Sequence, residues 1–123
     1  MKSSALGSIL LGSVDPVRLH AWYLAALAPE HFGDGFIDFG GVRVLFENRT
    51  DVAPATAEPG RVIFNFHVED ARATAAHLDG LGATWLVEVE RRDAGLFGTL
   101  VDPDGNYIQI IELSEEYLAA AER

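Results

Sequence analysis

Apolar and polar residues alternate in short runs along this chain, and each run gives way to a stretch with helical spacing or to a turn. The first run predicts a strand over residues 6–13. Asp15-Pro16 then predicts a helix start, because an Asp side chain accepts from the free amides of a first turn and Pro occupies a position where no amide hydrogen is needed. Leu19, Trp22, Tyr23 and Ala26 recur at helical spacing, so residues 17–27 are predicted to form an amphipathic helix lying on a sheet, its aromatics in the core. The Gly33-Asp34-Gly35 turn leads into a hairpin-like pair over residues 36–39 and 42–48, separated by Gly40-Gly41. Residues 49–60 are small and polar, with Pro54 and Pro59 and no periodic pattern, and are predicted to be a linker.

The pattern then starts again. Ile63 to Val68 leads into Asp70 and a second helix, 55 positions after Ser8 to Ser13 lead into Asp15. A strand over 61–68 is followed by a helix over 70–81 with Ala71, Ala75 and Leu78 inward, ended by Gly82 in the left-handed conformation. Strands are predicted over 85–91 and 96–101, around the turn at Asp93-Ala94-Gly95. Asp102-Pro103-Asp104-Gly105 has Pro and Gly where a tight turn needs them, and the last strand covers 106–112. Ser114 is placed to cap a short terminal helix over 114–122, with Glu115 and Glu116 in its first turn.

Charge and composition narrow the function classes. Nineteen acidic residues against nine basic ones give a formal charge of −10, spread along the chain, a field that repels nucleic acid and anionic membranes. No apolar run approaches the ~20 residues of a membrane-spanning helix. Lys2 is the only positive charge before an apolar stretch broken by Gly7, Ser8, Gly12 and Ser13, a poor secretion signal. The chain has no cysteine, hence no disulfide and no thiolate, and a cytoplasmic location is the expectation.

A βαβββ unit written twice resembles the vicinal oxygen chelate superfamily, the group of glyoxalase I, bleomycin-resistance proteins and extradiol dioxygenases. The resemblance rests on Val14-Asp15-Pro16 at the first helix start, on His67-Val68-Glu69-Asp70 at the second, and on Asp102-Pro103-Asp104-Gly105-Asn106 before Tyr107-Ile108-Gln109-Ile110. It implies an α+β fold in which two modules, over about 5–48 and 61–113, form one domain with a cupped mixed sheet, and it implies a homodimer. Metal-binding members carry ligands early on each first strand and midway along each last strand. Carried onto this chain, those positions are Ser8, Ile63, Gln109 and, aligning Gly41 with Gly105, Leu45. Ile and Leu cannot ligate, and a neutral Ser and Gln would hold a divalent cation too weakly, so no metal and no other cofactor is expected.

With those positions facing the cup, alternation brings further residues to the same side. Ser8, Leu10 and Gly12 would come from the first strand of module one, and Arg43, Leu45 and Glu47 from its last. Module two would add Ile63, Asn65 and His67, then Tyr107, Gln109 and Ile111. Ile9, Leu11, Val44, Phe46, Phe64, Phe66, Ile108 and Ile110 would pack under the helices. Phe36, Trp85, Phe97 and Tyr107 are aromatics at the rim that could sandwich a planar ligand. Apolar walls with a few polar groups are what a small-molecule site needs. The expected function is therefore metal-independent capture of an apolar or aromatic compound, with the negative field compatible with a cationic one. Neither nucleic acid nor membrane is expected as a partner. The alternative is a metal-free isomerase, lyase or cyclase with His67 as acid or base, partnered by Glu47 or Tyr107.

Overall fold

A computed structural model describes residues 1–121 of the chain. The chain divides into two compact units, Met1–Ala57 and a second beginning at Glu58. The first runs β1 (Ser8–Ser13), α1 (Pro16–Leu27), β2 (His31–Gly33), β3 (Phe36–Phe39) and β4 (Val42–Asn48). The second runs β5 (Phe64–His67), α2 (Ala71–Gly80), β6 (Thr84–Arg92), β7 (Gly95–Val101), β8 (Tyr107–Leu113) and α3 (Glu115–Ala121). Each unit holds one four-stranded sheet, ordered β1-β4-β3-β2 and β5-β8-β7-β6, in which the first strand lies parallel to the last and the other pairs are antiparallel. This is an α+β fold of two βαβββ modules.

The helix starts follow from local chemistry. Asp15 accepts from the Arg18 amide at 3.2 Å with Pro16 opening the helix, and Asp70 accepts from the Ala73 amide at 3.0 Å. A second acceptor serves α2, since Glu112 on β8 takes the Ala71 amide at 2.9 Å. Gly82, at φ +80°, turns the chain out of α2. Ser114 caps α3 through the Tyr117 amide at 3.1 Å; residue 122 of the expected helix lies outside the described residues.

In the first unit Leu19, Tyr23 and Ala26 of α1 are buried over Ile37, Val44 and Phe46. The Tyr23 ring meets those of Phe39 and Phe46 at 6.3 and 5.8 Å. Trp22, expected inward, is only half-buried and meets Tyr23 edge-on. In the second unit Ala71 and Leu78 of α2 are buried with Leu100, Ile108 and Ile110 of the sheet. Alternation thus puts the apolar set of each sheet toward its helix and leaves the opposite face open.

Three sequence expectations change. The three-residue strand β2 forms where no strand was predicted, paired to β3 through the Asp34-Gly35 turn. The first strand of the second unit starts at Phe64 rather than at 61. The Tyr107 amide, which would continue the β5–β8 ladder, donates to the Pro59 carbonyl at 3.3 Å, and Arg61 is turned to Glu58 at 2.6 Å. Finally, β6 carries two register irregularities against β7, between Trp85 and Val87 and between Val87 and Glu90.

Candidate functional site

The open face of the first sheet is built from β1, β4 and β3. Strand register aligns Ser8 with Arg43 and Asp38, then Leu10 with Leu45 and Phe36, then Gly12 with Glu47. The middle row is apolar: Leu10 is 47 % exposed, and Leu45 and Phe36 are half-buried. Arg43, in the row beside it, lies over the Phe36 ring with its guanidinium carbon 4.4 Å from the centroid. Asp38, its neighbour in register, has its carboxylate turned to the β3–β4 turn, where it accepts from the Gly41 amide at 2.7 Å. At the far end the Arg49 side chain covers Gly12 and makes a two-pronged pair with Asp51 at 2.9 and 2.7 Å. That pairing raises the Arg49 pKa and holds the Asp51 carboxyl below its ordinary 3.8, the shared hydrogen bond being the main cause.

The open face of the second sheet is more polar. Asn65 aligns with Gln109 and Thr99, and the Gln109 side-chain amide donates to the Thr99 hydroxyl at 3.3 Å. His67 aligns with Ile111 and Phe97, and Arg92, paired to Glu90 at 3.1 Å, lies 5.2 Å from the Phe97 ring centroid. His67 is exposed at the end of β5.

The structure brings together Ser8, Leu10, Phe36, Arg43, Leu45 and Glu47 on one face, and Asn65, His67, Phe97, Tyr107 and Gln109 on another. It moves two others and buries a third. Trp85 aligns with Leu100 on the helix side of its sheet and donates from Nε1 to Asp79 of α2 at 2.7 Å, so it is not an open-face aromatic. The bulges after it, invisible to simple alternation, return Val87 to the open face opposite Thr99. Ile63 precedes β5 and lies outside the sheet. Ile111 keeps its expected row but is 4 % exposed, leaving little surface for a ligand. Tyr107 stands four residues before Ile111, the strand partner of His67, which is about 13 Å along a strand. A Cβ built on Gly60 would stand 3.6 Å from the Tyr107 ring, so that ring lies beside Gly60 and the structure does not pair Tyr107 with His67. Glu47 belongs to the other unit.

Asp38, Thr99 and Arg92 were missed as open-face residues. The first two follow from the alternation that places Phe36 and Phe97; the reach of Arg92 across a bulged strand has no sequence signal.

The register also tests the metal positions that this fold uses elsewhere. Leu45 lies beside Leu10, Ser8 beside Arg43, and Gln109 has its amide on Thr99. Two of the four positions, Leu45 and Ile63, have no donor atom, and the guanidinium next to Ser8 disfavours a cation. The donor set does not fit a metal. Among the described residues no group of three or more His, Asp or Glu is gathered as a metal site, and no helix is long and apolar enough to cross a membrane.

A family model for a glyoxalase-like domain matches residues 8–111. No curated protein matches the sequence. Solved structures share the fold at low identity. A glyoxalase/bleomycin resistance protein/dioxygenase family enzyme from Burkholderia phytofirmans PsJN aligns over 90% of this chain and 100% of its own, with TM-score 0.72 and 16% identity. TnmS3, an antibiotic binding protein from Streptomyces sp. CB03234, aligns over 93% and 99%, with TM-score 0.69 and 17% identity. An integron cassette protein from V. cholerae aligns over 93% and 98%, with TM-score 0.67 and 21% identity.

Proposed function

The chain belongs to the glyoxalase-like domain family, and from that premise we propose that it is a metal-independent small-molecule binding protein that captures an apolar or aromatic compound without converting it. The observation that carries this reading is the make-up of the open face of the first sheet: a continuous apolar row, Leu10-Leu45-Phe36, flanked by single polar groups. The misfit of the donor set supports the metal-independent part. Capture of an antibiotic-like molecule is supported by the fold shared with the antibiotic binding protein from Streptomyces.

Magnitudes define what the apolar row can do. A flat ligand covering about 150 Å² of apolar surface gains about 4 kcal/mol. That corresponds to roughly millimolar affinity before the cost of immobilising the ligand. Tight capture therefore needs polar anchors, and a homodimer, if formed, would supply a second copy of each face. Native mass spectrometry of the untagged protein tests the reading. A dimer without metal that retains an organic mass, or takes one up from an offered panel of aromatic natural products, is expected. One divalent metal per subunit, or conversion of the bound compound to a product, would overturn it.

A further inference from the structure

Resting on the binding reading above, the geometry points to an anionic ligand: the open face of the first sheet takes an aromatic or apolar carboxylate, its acid group held by Arg43 and Ser8 and its flat body lying on Leu10 and Leu45, beside the Phe36 ring that Arg43 covers. The net charge of −10 alone favours the opposite sign. Local arrangement outweighs it, because exposed charges farther than about 10 Å are screened at ordinary salt, whereas a contact charge is not.

Three observations single out Arg43. Among the described residues two arginines lie over phenylalanine rings, and they differ in their acids. Arg92 over Phe97 is already neutralised by Glu90 at 3.1 Å. Arg43 over Phe36 makes no ion pair among the described residues, although acids outnumber bases two to one in the chain. The acid best placed to neutralise it, Asp38, is held on the Gly41 amide. Second, the guanidinium rests over the Phe36 ring, a contact that restrains the side chain before a ligand arrives, and its fork of N–H donors suits two-pronged binding of a carboxylate. Third, the Ser8 hydroxyl stands next to Arg43 in register, exposed, and no described group bonds it, so it is available as a further donor to the same anion.

Isothermal titration with three isosteric probes, 2-naphthoate, 2-naphthalenemethanol and 2-naphthylmethylammonium, tests the sign of the charge. The naphthoate is expected to bind about tenfold more tightly than the neutral alcohol, the ratio given by one charge-assisted hydrogen bond at a partly exposed site, and the ammonium more weakly than either. In Arg43→Met the preference for naphthoate over the alcohol is expected to vanish; Arg43→Lys keeps the charge without the planar fork and is expected to retain only part of the preference. Arg43 is exposed, so both variants are expected to fold, which circular dichroism verifies. Equal binding of the three probes, tighter binding of the ammonium, or a naphthoate preference that survives Arg43→Met would overturn the anionic assignment and leave the binding reading standing. Failure of all three probes, with no organic mass retained in native mass spectrometry, would overturn both.

Discussion

Gly95 opens β7 at φ +150°, and a side chain there has no room. A Cβ built on it would overlap the Glu112 carbonyl oxygen and stand 2.9 Å from the Ser114 amide nitrogen, both backbone atoms of the neighbouring strand and its end. No rotamer change can relieve such an overlap. Either β7 moves away from β8, loosening the Gly95–Leu113 pair, or the residue leaves its conformation. A strained backbone position costs about 1–3 kcal/mol and an overpacked contact a similar amount. Gly95→Ala is therefore expected to destabilise by about 4 kcal/mol, close to 15 °C in Tm for a chain of this size. Gly80→Ala is the matched control: Gly80 ends α2 with nothing within 4 Å of its would-be Cβ, so the change is neutral or stabilises by about 0.5–1 kcal/mol. A thermal melt followed by Trp85 fluorescence in a Trp22→Phe background reads the second unit alone, because each unit has one of the two tryptophans. If Gly95→Ala melts within 3 °C of its parent, the steric reasoning is wrong.

Asp70→Ala removes the acceptor of the Ala73 amide and is expected to lower stability by about 1 kcal/mol, with Glu112 still holding the Ala71 amide; urea unfolding monitored by circular dichroism measures it. The Asp51 carboxyl is expected to titrate below 3.8 by carbon-detected NMR and to return toward that value in Arg49→Gln. Because its folded pKa is depressed, the pair's contribution is present above the unfolded value and is lost as pH falls through the folded one; an unchanged midpoint in Arg49→Gln would refute the pairing. Exhaustive chelation is expected to leave Tm and probe binding unchanged, since Leu45 and Ile63 offer no donors; a loss restored by one divalent cation would contradict the donor-set argument.

Legibility in the sequence followed the range of the interactions. Helix starts at Asp15 and Asp70, the turn-out at Gly82 and the cap at Ser114 depend on residues within four positions, and all stand in the structure where the sequence put them. The tight turn at Asp102 is equally local: its carboxylate accepts from the amides of Asp104 and Asn106 at 2.9 and 3.0 Å. Which face a strand residue takes was readable while alternation was unbroken, as in β1, β4 and β8. In β6 the two irregularities cancel over the strand: Trp85 shares the helix side with Val89, as their even spacing implies, and only Val87 between them departs from alternation. Strand β2 is too short for any period, and it exists because β3 pairs with it. The alternating residues 61–63 look like strand, but their partner amide at Tyr107 is taken by Pro59, a competition between distant groups that no local pattern records.

On the proposed binding reading, the division between the two faces of each sheet separates stability from recognition. On the helix side Ile37, Val44, Leu100, Ile108 and Ile110 are almost fully enclosed, so any truncation there leaves a cavity and acts on folding. On the open side the paired positions Leu45 and Gln109, equivalent in the two modules by register, carry unrelated chemistry, one apolar and one amide. Equivalent backbone with unlike side chains means that the duplicated scaffold supports each face without dictating what it binds. Substitutions at Ser8, Arg43 or Gln109 should then change affinity while shifting Tm by no more than about 2 °C, as exposed or half-exposed positions do. Substitutions at Val44 or Ile110 should do the reverse. A variant of Arg43 that lost stability in proportion to affinity would show that the Arg43–Phe36 stack holds the sheet together and is not kept for a ligand.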